Sequence, residues 1–304
     1  MKPMKRSYII STIIFSILCY YAGAQQLSTY KNYHLNQYLN NPAAAGTKPY
    51  IFTSLAYSKY WSGFNGSPNL QSFSAHSMVS EQTALGGKVF YENTGLSGQF
   101  GAELTYAMHL KMNSSGTKLG FGLSAVLSQY SLFKDQFIIK DIDDEVINNS
   151  ENSVIVPDAA FGMRLYKDNA YYIDFSVYQL LNRKVDFLAD NTLENKRNMH
   201  LYFGGGYRFT VNENFKLEPS VLFKMSGGYN QLDAGLKAEI KEKIYVGCYY
   251  STNDAIVPFI GIDSRTVALG YSYGIVSGDL GNYTGGSHEI MIILKLTNTR
   301  TSLD

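Results

Sequence analysis

Along most of the chain, apolar residues alternate with small or polar ones, the period-two pattern that sends successive side chains to opposite faces of a β-strand. From Gln99 to Lys111 one phase reads Phe100, Ala102, Leu104, Tyr106, Met108 and Leu110, and the other Gln99, Gly101, Glu103, Thr105, Ala107, His109 and Lys111. The next run sets Leu119, Phe121, Leu123, Ala125 and Leu127 against Gly120, Gly122, Ser124, Val126 and Ser128, and Asn113-Ser114-Ser115-Gly116 between the two runs predicts a hairpin turn. Comparable runs fall at 51–59, 69–77, 85–91, 161–166, 171–178, 199–210, 215–224, 231–240, 244–251, 255–262, 266–274 and 288–296, which brings the predicted strands to about fourteen. No long stretch beyond residue 24 carries a 3.6-residue period, so no substantial helix is expected there.

The two phases differ in chemistry. In the runs 100–110, 119–127, 199–209, 232–240 and 290–296 the apolar phase holds no charged residue, whereas the other phase carries Glu103, Lys111, Arg208, Asp233, Lys237, Glu239 and Lys295 among Gly, Ser, Thr and Tyr. A face from which charge is excluded is what lipid demands, since Arg or Lys at the bilayer midplane costs about 2–4 kcal/mol. A soluble sandwich would carry more Lys and Glu on its solvent face. The pattern therefore predicts an all-β fold, a single-chain transmembrane antiparallel β-barrel of about 14 strands over residues 51–297, with a tail at 298–304. Tyr91, Tyr130, Tyr166, Tyr178, Tyr250 and Tyr273, near run ends, are expected in the interfacial aromatic girdles. Pro219 and Pro258 interrupt two runs and each removes a ladder donor. The charged stretches 132–156 and 180–198 read as long loops outside the hydrocarbon.

The N-terminus supplies an address. Lys2, Lys5 and Arg6 precede an apolar stretch from Tyr8 to Tyr21, and Ala22-Gly23-Ala24 follows, the order of a secretory signal peptide over residues 1–24 cut after Ala24. Leu18 before Cys19 argues against a lipoprotein site. Cleavage leaves 280 residues with 23 basic and 25 acidic side chains, a net charge of −2. Cys248 is then the only cysteine, which rules out an intramolecular disulfide. With 43 aromatic residues the chain is too aromatic for disorder, and it has no basic run dense enough to follow a phosphate backbone, so nucleic acid is excluded as a partner.

Candidate chemistry is sparse. Asp141, Asp143, Asp144 and Glu145 lack the glycine and terminal glutamate of a calcium loop and read as a solvated acidic stretch. The five histidines, His34, His76, His109, His200 and His288, are scattered without metal-ligand spacing. Gly204-Gly205-Gly206 lies within an alternating run, where glycine serves close packing. No G-x-S-x-G elbow is present. No enzymatic role, cofactor or metal is expected.

Six blocks carry a resemblance. Gln37-Tyr38-Leu39-Asn40-Asn41-Pro42-Ala43-Ala44-Ala45-Gly46 opens the chain after the predicted cleavage site, followed by Trp61-Ser62-Gly63-Phe64-Asn65-Gly66-Ser67-Pro68 and Leu85-Gly86-Gly87. Then come Pro157-Asp158-Ala159-Ala160-Phe161-Gly162, Leu217-Glu218-Pro219-Ser220-Val221-Leu222 and, near the end, Gly286-Ser287-His288-Glu289-Ile290. In this order they resemble the PorP/SprF family of outer-membrane proteins of the Bacteroidetes type IX secretion system. The resemblance implies a barrel in outer-membrane lipid that works with periplasmic ring components, or with a large secreted surface protein whose export or anchoring it supports, in some relatives a gliding adhesin. Two departures stand out: Ser58, Lys59 and Tyr60 occupy the stretch where an arginine is usual before the tryptophan, and no terminal aromatic closes the chain.

The motif residues Asn41, Pro42, Ala43, Gly46, Trp61, Gly63, Pro68, Pro157, Asp158, Gly286, Ser287, His288 and Glu289 are the candidate partner contacts. Each also has a structural reading: Asn41-Pro42 as a turn, Trp61 as an interfacial anchor, Pro68 as a strand start. The polar segment 25–50, ahead of the first strand, is the expected contact with a periplasmic or luminal partner. Against secretion or anchoring stands the alternative of a general diffusion channel, a porin for small solutes, which needs an open lumen.

Overall fold

The computed structural model describes residues 30–134, 152–185, 187, 197–252, 255–276 and 279–297. The expected signal peptide over 1–24, the acidic stretch 141–145 and the expected tail 298–304 lie outside them. Fifteen strand segments follow one another: β1 (Ile51–Lys59), β2 (Asn69–Met78), β3 (Thr83–Thr94), β4 (Ser97–Lys111), β5 (Thr117–Leu132), β6 (Ser153–Lys167), β7 (Tyr171–Tyr178), β8 (His200–Tyr207), β9 (Phe209–Asn212), β10 (Phe215–Ser226), β11 (Tyr229–Ile240), β12 (Ile244–Ser251), β13 (Ala255–Asp263), β14 (Val267–Val276) and β15 (Ser287–Leu296). β8 and β9 are one strand broken at Arg208, so the barrel has 14 strands. Each pairs antiparallel with its neighbours in sequence, and β1 pairs with β15 from Ile51↔Leu296 to Lys59↔His288, which closes the ring. Among the described residues no helix is long and apolar enough to cross a membrane.

The two phases separate as the alternation predicts. Outward-facing side chains include Leu55, Leu104, Leu123, Ile173, Ile260 and Ile290, all exposed. Inward-facing ones include Ser54, Ser74, Glu103, Thr105, His109 and Ser124, all buried. A barrel turned this way gives lipid an apolar wall and keeps its polar groups for the interior. Of the six tyrosines expected at the girdles, Tyr91 and Tyr250 are exposed and Tyr273 shares the outward phase of β14. Tyr166 and Tyr178 are buried in the lumen, and Tyr130 shares the inward phase of Ser128. Position along a strand does not decide the face; parity does, and these three sit on the even, inward positions.

The strand prolines fall where a ladder is already interrupted. Pro219 pairs with Leu236 of β11, but on its other side lies the break at Arg208, whose N–H bonds instead to the Ala170 carbonyl at 2.6 Å. Pro258 pairs with Cys248, while its pairing to β14 lapses between Ile256↔Ile275 and Phe259↔Ser272. Pro157 pairs with Leu127, and β7 meets β6 only from Phe161 onward. Each proline thus faces its missing donor toward a gap. Strand β6 starts at Ser153, so the stretch 153–156 belongs to the wall and not to the preceding loop.

The ends of the barrel are unequal. One end has only short turns, at 79–82, 112–116, 168–170, 213–214, 241–243 and 264–266; the other carries the longer connections 60–68, 133–152, 179–199 and 277–286. β1 begins and β15 ends at the short-turn end.

Ion pairs cross the interior between neighbouring strands. Lys88 and Glu103, directly opposite in register, meet at 2.7 Å with side chains 7% and 1% exposed. Lys224 meets Asp233 at 2.7 Å, and Arg164 meets Asp174 at 2.9 Å. Removing one member of such a pair strands the other charge. Glu103→Gln is expected to destabilise the barrel by about 3–5 kcal/mol, and Lys88→Met with Glu103→Leu to recover most of that loss. Urea unfolding in detergent checks both; a double variant no better than the single would show the pair acting through something other than charge.

Candidate functional site

The lumen is filled by the chain's own N-terminal segment. Residues 30–46 are almost wholly buried, and two 3₁₀ turns, Gln37–Leu39 and Pro42–Ala44, fold the segment onto the inner wall. Both turns are capped by asparagine: Asn36 Oδ1 accepts from Tyr38 N at 3.2 Å, and Asn41 Oδ1 accepts from Ala43 N at 2.9 Å. Asn-x-x followed by small residues makes a compact turn because the side-chain oxygen takes up an otherwise orphaned backbone donor. Pro42 at the first position needs no donor partner.

Every stretch of this plug finds inward-phase partners. At its start, the Glu289 carboxylate accepts from the backbone N–H groups of Lys31 and Asn32, both at 2.7 Å, and from Ser58 Oγ at 2.5 Å. Glu289 is fully buried. Asn36 donates to Ser54 Oγ at 2.8 Å and Ser74 Oγ at 3.0 Å, and Tyr38 OH meets Thr105 Oγ1 at 2.7 Å. Asn41 donates to the Met163 carbonyl and to Asp174, each at 3.0 Å, while Arg164 holds both Asp174 and Gln37. Ser176 Oγ donates to the Asn40 carbonyl at 2.5 Å. His109 Nε2 meets the Ala45 carbonyl at 2.8 Å, and Gly46 N donates to His76 Nδ1 at 3.0 Å.

Shape matches polarity. A Cβ on Gly122 would collide with Pro42 and Ala43, and one on Gly162 with Asn41 Oδ1, so the glycines of β5 and β6 leave the groove that the turn occupies. Among the described residues, three buried apolar clusters each combine plug and wall: Tyr33 with Tyr202, Tyr249 and Phe259; Tyr30 and Leu39 with Phe52, Leu70 and Met291; Tyr38, Ala44 and Ala45 with Ala84 and Ala107. His34 stacks on Phe259 with ring centroids 3.9 Å apart. Burial, reinforced by Lys237, pushes its imidazole well below the usual histidine range, so it is neutral.

Below the plug, at the short-turn end, a cavity of about 460 Å³ remains. Eight of its lining side chains are basic, among them Lys48, Lys111, Lys118 and Lys167, and five are acidic. Arg208 and Lys237 converge there on Glu218 at 2.9 and 3.0 Å. Lys48, exposed just beyond the plug's last turn, adds its ammonium to the lining of this cavity.

The thirteen residues singled out from sequence fall in three places. Asn41, Pro42, Ala43 and Gly46 are in the plug, where their contacts are within the chain. Trp61, Gly63 and Pro68 lie in the β1–β2 loop at the long-loop end and meet Gly286 and Ser287: Ser62 N donates to the Gly286 carbonyl at 2.7 Å, Trp61 N to Ser287 Oγ at 3.3 Å, and Tyr60 N to the Pro68 carbonyl at 2.9 Å. Trp61 and Gly63 both take positive φ there, 45° and 102°. His288 faces outward against Tyr271 OH at 2.8 Å, and Glu289 faces inward to the plug. Pro157 and Asp158 stand apart on β6, where Asp158 accepts from Arg197 at 3.1 Å and from Leu181 N at 3.1 Å at the base of the following loop. The wall partners of the plug, Ser54, Ser74, His76, Thr105, His109, Asp174 and Ser176, were not singled out. Their signal was the run of small hydroxyl residues on the inward phase. Among the described residues no three metal-ligating side chains cluster.

A closed, lipid-faced, plugged barrel defines a class, the outer-membrane β-barrel. The crystal structure of the Ralstonia pickettii toluene transporter TbuX superposes with a TM-score of 0.52 at 10% identity, covering 86% of this chain and 93% of that one, a likeness of fold. A Pseudomonas aeruginosa FadL homologue (TM-score 0.46, 10% identity, 84% and 93% covered) and Acinetobacter baumannii Omp33 (0.45, 10%, 81% and 98%) are also similar. No curated protein matches the chain. The family model for the type IX secretion system membrane protein PorP/SprF matches residues 22–294, and the chain belongs to that family.

The Glu289 clamp is the plug's firmest polar hold. Glu289→Ala is expected to speed hydrogen exchange at residues 31–36 by roughly tenfold or more while strand amides stay protected, since two backbone donors lose a charged acceptor worth about 1.5–3 kcal/mol each. Equal exchange in variant and native protein would mean that the plug is held elsewhere.

Proposed function

We propose that this protein is a plugged, non-enzymatic barrel of type IX secretion that serves as a docking scaffold, either for the periplasmic machinery or for a secreted surface protein that it helps to export or anchor. One observation carries the reading: the lumen is packed from Tyr30 to Gly46 by side chains and hydrogen bonds of the chain itself. A diffusion channel needs a continuous aqueous path with weak, multiple binding sites. The cavity at the short-turn end leads instead to plug residues, among them buried Asn36 and Tyr38. Membership of the family supports secretion as the process.

The orientation follows from the barrel's asymmetry. Outer-membrane barrels place short turns in the periplasm and long loops outside. The short-turn cavity then faces the periplasmic machinery, and the long-loop end, where the Trp61 loop meets Gly286, faces the cell exterior. A periplasmic ring component would meet the first end, a surface protein such as a gliding adhesin the second.

Two measurements on the full chain test the scaffold. In planar bilayers the native protein is expected to be silent and a variant lacking residues 30–46 to conduct; steady conductance from native protein would return the porin reading. Gentle detergent extraction of the tagged protein is expected to recover secretion-system components or one large surface protein in fixed ratio. A barrel recovered alone under cross-linking conditions would count against a scaffold.

A further inference from the structure

Some cations at the short-turn mouth form no ion pair among the described residues, and the arrangement of two of them on the wall is unfavourable by itself. Lys111 on β4 lies directly opposite Lys118 on β5, and the adjoining Thr117 pairs with Lys167 on β6. Like charges directly opposite on paired strands repel. Lys118 is relieved by Asp168 at 2.7 Å. Lys111 and Lys167, both exposed, form no ion pair among the described residues, and neither does Lys48, which the plug brings to the same cavity. The surplus is local, since the mature chain expected from the sequence is net negative. Deeper in, Arg164 Nε is a buried donor without a hydrogen-bond partner, and Arg164 lines the cavity.

We propose that the short-turn mouth is a docking site for an acidic peptide segment of a periplasmic partner, held by Lys48, Lys111 and Lys118 and leading inward toward Arg164. The site rests on the scaffold reading and names the chemistry of its contact. Lys111 and Lys118 present two inward cations from adjacent strands, Lys48 adds a third from the end of the plug, and the cavity of about 460 Å³ they line has room for a short stretch of chain carrying several carboxylates. Lipid headgroups meet the outer wall and do not reach inside the ring. An acidic segment entering this mouth would neutralise the Lys111/Lys118 repulsion and meet a potential that steers it in.

The test uses purified full-length protein in detergent and fluorescein-labelled hexaglutamate, read by anisotropy. Saturable binding is expected that weakens with added salt, and Lys48→Glu with Lys111→Glu should weaken it by roughly tenfold or more. Lys48→Arg with Lys111→Arg should retain it. Lys111→Glu alone, on the wall and outside the plug, should weaken it as well, with heat-modifiable migration confirming an intact barrel. The proposal is overturned if hexaglutamate binds no tighter than a glycine-serine hexamer, if the charge-reversed variants bind as the native protein does, or if inorganic phosphate at equal charge concentration displaces the peptide completely. Binding of the peptide needs no secretion component, so its loss beside intact co-purification would sink the docking site alone, and the converse would sink the scaffold alone.

Discussion

A ring of fourteen strands encloses more space than its own inward side chains can fill, and something has to occupy it: water, a ligand or protein. Here the occupant is the chain's own N-terminal segment, and much else follows from seating it. The inward phase must be small where the backbone of the plug runs close, as at Gly122 and Gly162, and must offer hydroxyls and imidazoles where plug amides arrive, as at Ser54, Thr105 and His109. The result inverts the plan of a soluble protein. The hydrophobic clusters sit within the ring, mixed with buried ion pairs, while the outer surface is apolar because its solvent is lipid.

Much of the fold was legible in the sequence because lipid enforces a strict parity. A strand with one lipid face cannot slip by a single residue without presenting Glu103 or Asp233 to hydrocarbon, so alternation gives the strand count, and charge exclusion gives the facing in the five runs that carry it. Even the apparent contradictions, Pro219 and Pro258, mark ladder gaps. The facing of Tyr130, Tyr166 and Tyr178 was misjudged because tyrosine suits both an interface and a packed lumen; only counting parity from the neighbouring Ser128, Arg164 or Ser176 separates the two.

The plug's contacts were not legible in the same way. Gly, Ser, Thr and Tyr on an inward face suit a water-filled pore as well as a packed one, and the pairing of residue 36 with 54 and 74, or of 31 and 32 with 289, depends on three-dimensional closure that no local pattern encodes. The motif blocks were visible, but their meaning was not. Asn41-Pro42-Ala43 is a capped turn shaped to a glycine groove; the Trp61 loop and Gly286-Ser287 meet at the long-loop rim; and Glu289, one residue past His288, turns inward where its neighbour turns to the lipid-facing wall.

Glu289 and Ser58 face each other across the seam between the last strand and the first, and both reach the same carboxylate-centred knot with residues 31 and 32. The grip on the earliest-made part of the chain therefore exists only once the latest-made strand has zipped to its partner. A ring still open at that seam lacks this one hold on residues 31 and 32, so closing the wall and fastening the start of the plug are a single event at Glu289.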